Sequence, residues 1–244
     1  MPIQKFTAEV WKIRDLTHDV REIMLRLVEP PRIAFKAGQF ISFEVPKEGF
    51  PRPVTRPYSI ASPPSQDNIV TLVLNLVVGG PGSTYLFRLK EGDETRFTGP
   101  TGNFYLHDDP DRDRLFVATG TGIAPIRSML LELCERGLQR SVSLYWGLRT
   151  EKDVYYQDEL QRLANDNLKF RFLTTLSRPG DGWKGKIGRV TWYVAEEIQS
   201  VNNLAVYLCG NSGMLKDVTD ILKTKGLCPI YREKYYDDAG EPDD

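Results

Sequence analysis

The chain has 244 residues, 41% of them hydrophobic, which is enough for one large core or two smaller ones. Its formal net charge of −1, from 32 basic and 33 acidic side chains, produces no global field that would attract nucleic acid or an anionic membrane. There is no apolar run of the roughly 18 residues that a transmembrane helix needs, and the N-terminus lacks the apolar segment of a signal peptide. We therefore expect a cytoplasmic protein that neither inserts into a membrane nor binds nucleic acid.

Few residues are suited to metal or thiol chemistry. Cys134, Cys209 and Cys228 are scattered, include no CxxC pair, and are too few for the four ligands of an ordinary iron–sulfur cluster. His18 and His107 lie in polar segments typical of turns. The sequence therefore predicts neither a metal site nor a histidine-based catalytic triad.

The first hundred residues predict β-strands. Four segments alternate apolar and polar residues or form short apolar runs: KFTAEVWKI, VREIMLRLV, GQFISFEV and NIVTLVLNLVV. The turns between them are too short for crossover helices, so we expect an antiparallel sheet that closes into a small β-barrel. One short helix is predicted within STYLFRLKEG, with Ser83 as its N-cap and Gly92 just after its end.

After the acidic stretch HDDPDRD, predicted strands alternate with predicted helices. RLFVATG precedes the helical pattern IAPIRSMLLELCERG, and three further strand–helix units follow. This alternation predicts an α/β domain with a doubly wound parallel sheet. We therefore expect a barrel domain over residues 1–108, an α/β domain over 109–236, and a disordered acidic tail over 237–244.

The turn ATGTGIAPI is the strongest indication of a ligand site in the second half. Gly120 and Gly122 allow close approach of the backbone to a ligand, and the N–H groups at the start of the next helix would face an anion. Taken alone, the pattern indicates either a phosphate site or a tight structural turn. The strand end YLCGNSGM should reach the same sheet edge, where α/β folds bind ligands, although Cys209 there is equally typical of a small buried side chain.

Five motifs in order resemble those of the ferredoxin–NADP reductase superfamily of flavin-dependent reductases, over nearly the whole chain. They are RPYS at 56–59, GGPGST at 79–84, GPTGNF at 99–104, GTGIAP at 120–125 and CGN at 209–211. The resemblance implies an FAD-binding domain followed by an NAD(P)-binding domain. It also implies an enzyme that passes electrons between NADPH and a separate carrier protein, with hydride transfer to the flavin N5.

For the flavin, the resemblance assigns roles to the RPYS motif, which includes Pro57. Arg56 would pair with a phosphate, Tyr58 would lie along the isoalloxazine, and Ser59 would hydrogen-bond near N5. The predicted phosphate contacts at the start of the short helix are Gly82, Ser83 and Thr84. A helix N-terminus suits a dianionic pyrophosphate, which favours FAD, with FMN as the alternative.

For the nicotinamide nucleotide, the resemblance implies that Gly120, Thr121 and Gly122 hold the pyrophosphate and ribose. Cys209 and Gly210 would lie near the nicotinamide C4, where a small side chain leaves room for stacking on the flavin. Glu233 and Tyr235 match the Glu-x-Tyr ending of plant-type members, so Glu233 would position the nicotinamide or relay protons. Nine residues follow Tyr235, and the residue that covers the flavin is therefore Tyr235, Tyr236 or neither.

The nucleotide and the electron acceptor are less strongly indicated. Arg149, Ser177 and Arg178 are predicted to recognise the 2′-phosphate of NADPH, with NADH as the alternative because Glu151 and Asp153 are near. The clustered cysteines of a ferredoxin-like domain are absent from the sequence, so we expect electrons to pass to a separate ferredoxin, flavodoxin or haem protein. We also expect the protein to be a monomer. The alternatives are an NADH-dependent reductase component for an oxygenase or cytochrome, and a nucleotide-binding subunit without turnover.

Overall fold

The computed structural model describes residues 3–47, 49 and 51–235, and these form two compact units. Unit 1 contains the described residues up to Leu106 together with 127–132, and unit 2 contains 107–126 and 133–235. The domain limits at 1–108 and 109–236 stay predictions. The predicted disorder of 237–244 and the alternative role of Tyr236 lie outside the described residues.

Unit 1 is built on a six-stranded antiparallel sheet with the strand order β4-β3-β6-β1-β2-β5. Ile60, which follows β4, forms a bridge with Leu72 of β5, so the two edge strands meet and the sheet curves into a half-barrel. The predicted antiparallel barrel is thereby confirmed. The strands are β1 (Gln4–Asp15), β2 (Val20–Glu29), β3 (Phe40–Val45), β4 (Val54–Ser59), β5 (Ile69–Asn75) and β6 (Glu94–Thr101).

Aromatic pairs connect the core of unit 1 to strand β4. Phe6 and Phe97 are direct partners across β1 and β6, and their rings stack with centroids 5.1 Å apart. Phe43 of β3 lies 5.8 Å from Phe97 and meets the ring of Tyr58 edge-on at 5.9 Å. The buried rings of Phe6, Phe97 and Phe43 therefore form a continuous cluster against which the ring of Tyr58 packs.

Two strands of unit 1, β4 and β6, were not predicted from the sequence because they contain prolines. β4 contains Pro57, and β6 contains Gly99 and Pro100, so neither segment gives an uninterrupted strand pattern. Proline cannot donate a ladder hydrogen bond, but β4 is an edge strand, where that loss is tolerated. The RPYS motif is thus part of a strand at the edge of the sheet.

The helix of unit 1, α1 (Pro81–Arg88), begins earlier than predicted. Its N-cap is Gly80, so the prediction that Ser83 caps the helix was wrong. The hydroxyl of Ser83 instead accepts a hydrogen bond from the Val77 N–H, at 3.1 Å, and fixes the preceding loop. Pro81 suits the first helical position because its missing N–H would have no partner within the helix.

Unit 2 contains a six-stranded parallel sheet with the order β10-β9-β8-β7-β11-β12, which confirms the predicted doubly wound fold. The chain builds outward from β7 to β10 and then returns to add β11 and β12 on the other side of β7. The side on which successive strands are added therefore changes between β7 and β11. In α/β sheets, such a switch point forms a ligand-binding crevice at the carboxyl ends of the strands. The strands are β7 (Asp113–Thr119), β8 (Val142–Leu148), β9 (Phe170–Leu176), β10 (Lys186–Ile187), β11 (Leu204–Gly210) and β12 (Ile230–Lys234).

The helices after the strands are α2 (Ile123–Glu135), α3 (Gln157–Asp166), α4 (Val190–Glu197) and α5 (Ser212–Lys223). Two 3₁₀ turns, Gly120–Gly122 and Glu151–Asp153, follow β7 and β8. Among the described residues, no helix combines the length and apolar character required to cross a bilayer.

Candidate functional site

In unit 1, the RPYS motif and the start of α1 are in direct contact. A Cβ added at Gly82 would lie 2.9 Å from the Cβ of Arg56 and even closer to the hydroxyl of Tyr58. A glycine at this position therefore allows the helix start to pack against both side chains. The structure thus brings together the two segments predicted to hold the flavin.

Strand alternation separates the four residues of RPYS into two pairs. Arg56 and Tyr58 are partnered with Phe43 and Ile41 on β3, and both approach Gly82. Pro57 and Ser59 point to the other face of the strand, because successive side chains alternate. Ser59 is buried and is the last residue of β4.

This arrangement fits a flavin nucleotide. The N-terminus of α1 carries no side-chain cap, so its partial positive charge is available to a phosphate. Arg56, whose side-chain stem lies beside Gly82, adds a full charge, and the half-buried ring of Tyr58 offers a flat apolar surface. Three of the predicted contacts are already engaged within the protein: the Arg56 guanidinium donates to the Thr55 carbonyl at 3.0 Å, the Ser83 hydroxyl binds the 77–80 loop, and the Thr84 N–H donates to the Gly80 carbonyl at 3.0 Å.

In unit 2, the turn Gly120–Gly122 packs against the end of β11. A Cβ added at Gly122 would lie 2.7 Å from the carbonyl carbon of Cys209 and 2.9 Å from the nitrogen of Gly210. Gly122 is therefore needed for this backbone contact. The turn and the β11 end, which the sequence placed at one sheet edge, do lie together there.

Two residues to which the sequence analysis assigned no role, Thr119 and Asn211 of the CGN motif, connect this edge. The Thr119 hydroxyl accepts hydrogen bonds from the main-chain N–H of Asn211, at 3.2 Å, and from its side-chain amide, at 3.4 Å. Asn211 also caps α5 by accepting from the Met214 N–H at 2.8 Å. An asparagine between a strand and a helix is a recognisable N-cap signal, whereas the sequence gives no signal for Thr119.

Cys209 and Glu233 are direct partners across β11 and β12. Cys209 is fully buried; burial raises the pKa of its thiol well above the ordinary value, and the Glu233 carboxylate adds to this increase. Immediately after β12, the Tyr235 N–H donates to the Gly210 carbonyl at 3.0 Å. The structure therefore gathers four predicted residues at this edge and keeps Cys209 as a neutral thiol.

The three residues predicted to bind a 2′-phosphate are also neighbours. The Arg178 N–H donates to the Arg149 carbonyl at 2.8 Å, and the Ser177 N–H donates to the Leu148 carbonyl at 3.0 Å. These main-chain bonds continue the pairing of β8 and β9 beyond the strand ends. Both arginine side chains are exposed, and their main chains are direct neighbours.

The nearby acidic side chains are engaged in loop hydrogen bonds. Glu151 accepts from the Gly180 N–H at 2.8 Å. Asp153 accepts from the Thr150 N–H at 2.7 Å and from the Thr150 hydroxyl at 2.9 Å, completing a capping box. Both carboxylates thus stabilise the loops that carry the arginines.

Comparison with known proteins agrees with a flavin site in unit 1 and a nicotinamide-nucleotide site in unit 2. Residues 7–105 match the family described as "Oxidoreductase FAD-binding domain", and residues 116–220 match "Oxidoreductase NAD-binding domain". Ferredoxin–NADP reductase B of Sorangium cellulosum is 34% identical over 95% of this chain and 98% of its own length.

Two further relatives are longer than this chain. The phenol hydroxylase P5 protein of Acinetobacter pittii is 34% identical over 92% of this chain, which spans 63% of that protein. The crystal structure of the Amycolatopsis cytochrome P450 reductase GcoB superposes with a TM-score of 0.86 and 30% identity, covering 96% of this chain and 70% of the other. The chain is accordingly an oxidoreductase with an FAD-binding domain and an NAD(P)-binding domain.

Proposed function

Because this chain belongs to the ferredoxin–NADP reductase superfamily, we propose that it passes electrons between NADPH and a separate one-electron carrier protein, a ferredoxin or a flavodoxin. The similarity to the Sorangium reductase, which extends over almost the whole of both chains, supports this assignment. A bound flavin supplies the necessary chemistry, since it accepts a hydride pair from a nicotinamide and releases electrons singly.

The residues of unit 1 bind and orient the flavin in this proposal. Arg56 pairs with a phosphate, while the main-chain N–H groups at Gly82 and Ser83 meet the pyrophosphate at the start of α1. The ring of Tyr58 lies along the isoalloxazine, held from behind by Phe43. Ser59 donates or accepts a hydrogen bond near N5. Because the hydroxyl of Ser83 is bound to the Val77 N–H, we propose that Ser83 contacts the pyrophosphate through its main-chain N–H.

The residues of unit 2 bind and orient the nicotinamide nucleotide. The turn Gly120–Gly122 holds the pyrophosphate, because its backbone lies at the switch point between β7 and β11. Cys209 contributes a small neutral side chain next to the nicotinamide site, together with Gly210. Glu233, paired in register with Cys209, positions the nicotinamide or moves a proton. Tyr235 stays the proposed cover of the flavin.

The preference for NADPH rests on one observation: Arg149 and Arg178 are joined by a main-chain hydrogen bond, with Ser177 beside them. Each charge-assisted hydrogen bond to a 2′-phosphate is worth about 1.5–3 kcal/mol, so two would favour NADPH by roughly a hundredfold or more. Glu151 and Asp153 are held by loop donors, which makes them poorly placed to bind a 2′-hydroxyl instead.

This preference can be tested by comparing kcat/KM for NADPH and NADH in the wild type and in Arg178→Ala. We expect the substitution to lower kcat/KM for NADPH by roughly tenfold or more and to leave NADH almost unchanged. Arg171→Ala is the matched control, because it removes an arginine of β9, the strand that precedes Arg178, and this arginine binds Ser143 instead. A wild type that prefers NADH, or a variant that loses both activities equally, would contradict the assignment.

A second candidate is an NADH-dependent reductase component that serves an oxygenase or a cytochrome. The similarity to the phenol hydroxylase P5 protein and to the cytochrome P450 reductase favours it, because each match covers more than 90% of this chain. The two candidates differ in nucleotide and carrier. Reduction of ferredoxin or flavodoxin with NADPH supports the first, while exclusive use of NADH supports the second.

A further inference from the structure

The carbonyl oxygen of Gly120 accepts two hydrogen bonds from side chains elsewhere in unit 2. The indole Nε1 of Trp146 donates to it at 3.0 Å, and the hydroxyl of Tyr155 donates at 3.3 Å. Both donors are buried, and their rings meet edge-on with centroids 4.8 Å apart. Two buried aromatic side chains thus converge on one peptide group of the nucleotide turn.

The Ile123 N–H, at the end of the 3₁₀ turn, also donates to this carbonyl, and the two side-chain hydrogen bonds add to that main-chain bond in fixing which way the peptide group faces. The Gly120 carbonyl and the Thr121 N–H belong to the same trans peptide, in which the two groups point in opposite directions. Gly120 has a φ of 52°, a conformation that glycine adopts without cost but also leaves easily. Holding the carbonyl therefore holds the Thr121 N–H as well, although the glycine itself gives the turn little rigidity.

The backbone next to Tyr155 supports this role. Tyr156 has a φ of 56° and is the only non-glycine residue with a positive φ in the described part of the chain. The left-handed conformation costs a bulky residue about 1–2 kcal/mol. Local strain of this kind persists where the surrounding structure requires a particular geometry, and here it accompanies the placement of the Tyr155 ring against Trp146.

We propose that Trp146 and Tyr155 are positioning residues of the nucleotide site. By helping to fix the Gly120 carbonyl, they keep the Thr121 N–H oriented for the pyrophosphate of NAD(P), and they do so without contacting the nucleotide. This inference rests on the proposed role of Gly120–Gly122. It adds a pre-organising element, which lowers the conformational cost of binding.

The test uses the full chain with FAD bound and the variants Tyr155→Phe and Trp146→Phe, each of which removes one donor and retains an aromatic ring. The probe is ADP-ribose, which carries the pyrophosphate without nicotinamide or 2′-phosphate, and its Kd is measured by calorimetry. We expect each variant to raise the Kd by roughly two- to tenfold, the range for loss of one hydrogen bond. The matched control is Tyr145→Phe, which removes a hydroxyl from β8 that binds Glu197 instead of the turn.

Kinetics with NADPH distinguish positioning from stability. We expect KM to rise and kcat to stay the same, because loss of nucleotide orientation weakens binding, whereas a smaller folded fraction lowers apparent kcat and leaves KM unchanged. Equal Kd values for the wild type and Tyr155→Phe would overturn the inference, as would an equal effect in Tyr145→Phe. A wild type that does not bind ADP-ribose at all would instead overturn the proposed nucleotide site, and this inference with it.

Discussion

The proposed flavin segment of unit 1, which is RPYS with the start of α1, and the proposed nucleotide turn of unit 2, Gly120–Gly122, both depend on a glycine, but the two glycines face different surroundings. Gly82 faces side-chain atoms of Arg56 and Tyr58, whereas Gly122 faces the main chain of Cys209 and Gly210. Side chains can move aside at modest cost, but the backbone of a buried parallel strand cannot. The first site therefore depends mainly on side-chain chemistry, and the second mainly on backbone packing.

The largest expected effect is that of Gly122→Ala. The added methyl group would overlap the Cys209 carbonyl group, so either β11 or the turn must shift. We expect a loss of about 3 kcal/mol in the free energy of unfolding of unit 2, measured by denaturant titration. Gly182→Ala is the control, because a Cβ there meets nothing within 4 Å. Equal stability of the two variants would show that the contact of Gly122 with β11 does not contribute to stability.

Arg56→Ala should leave the fold intact and weaken FAD binding. Loss of a charge-assisted hydrogen bond to phosphate corresponds to about 2 kcal/mol, or roughly a thirtyfold increase in the Kd for FAD. The measurement is a fluorescence titration of the flavin-free protein. Arg52→Ala, an exposed arginine that precedes β4, should bind FAD as the wild type does. A Kd unchanged by loss of Arg56 would remove this residue from the site.

Gly82→Ala tests the glycine of unit 1, which faces side-chain atoms. The methyl group would displace the Tyr58 hydroxyl, which is the end of a flexible side chain, and would crowd the Cβ and Cγ of Arg56, of which the Cβ moves only together with β4. We expect the unfolding midpoint to fall less than in Gly122→Ala, while the Kd for FAD rises by roughly tenfold, or about 1.4 kcal/mol. If Gly82→Ala instead destabilised its unit as strongly as Gly122→Ala does, the contrast between the two sites would be lost.

The smallest expected effect concerns the pKa of the Cys209 thiol. Because burial raises this pKa in the folded chain, the thiol contributes stability that is complete below its unfolded pKa of about 8.5 and is lost as pH rises toward the folded value. Between pH 7 and about pH 9, the wild type should lose about 0.8 kcal/mol more stability than Cys209→Ala does. Parallel pH dependences in urea unfolding would show that Cys209 does not contribute.

Strong periodic patterns allowed most of the fold to be predicted, including the antiparallel sheet and the alternating strands and helices of unit 2. The exceptions have physical causes. β4 and β6 contain prolines, which interrupt the strand pattern, and the hydroxyl of Ser83, the predicted N-cap, binds the Val77 N–H instead. A serine near a helix start does not by itself reveal which N–H its side chain will meet.

The sequence predicts candidate site residues only where they lie in contiguous segments. RPYS and GTG could be recognised because each is a short, unbroken motif. The support from Trp146 and Tyr155 depends on contacts to Gly120 across 26 and 35 positions, which no local pattern encodes. The pairing of Cys209 with Glu233 likewise depends on the register of β11 and β12.

The most direct test of the account is an anaerobic titration of the FAD-loaded protein with NADPH and, separately, with NADH, followed by visible absorbance. We predict that the yellow colour bleaches stoichiometrically, and at lower concentrations of NADPH than of NADH. A protein that binds FAD and the nucleotide, yet keeps its absorbance unchanged with both, would contradict the claim that the chain transfers electrons between them.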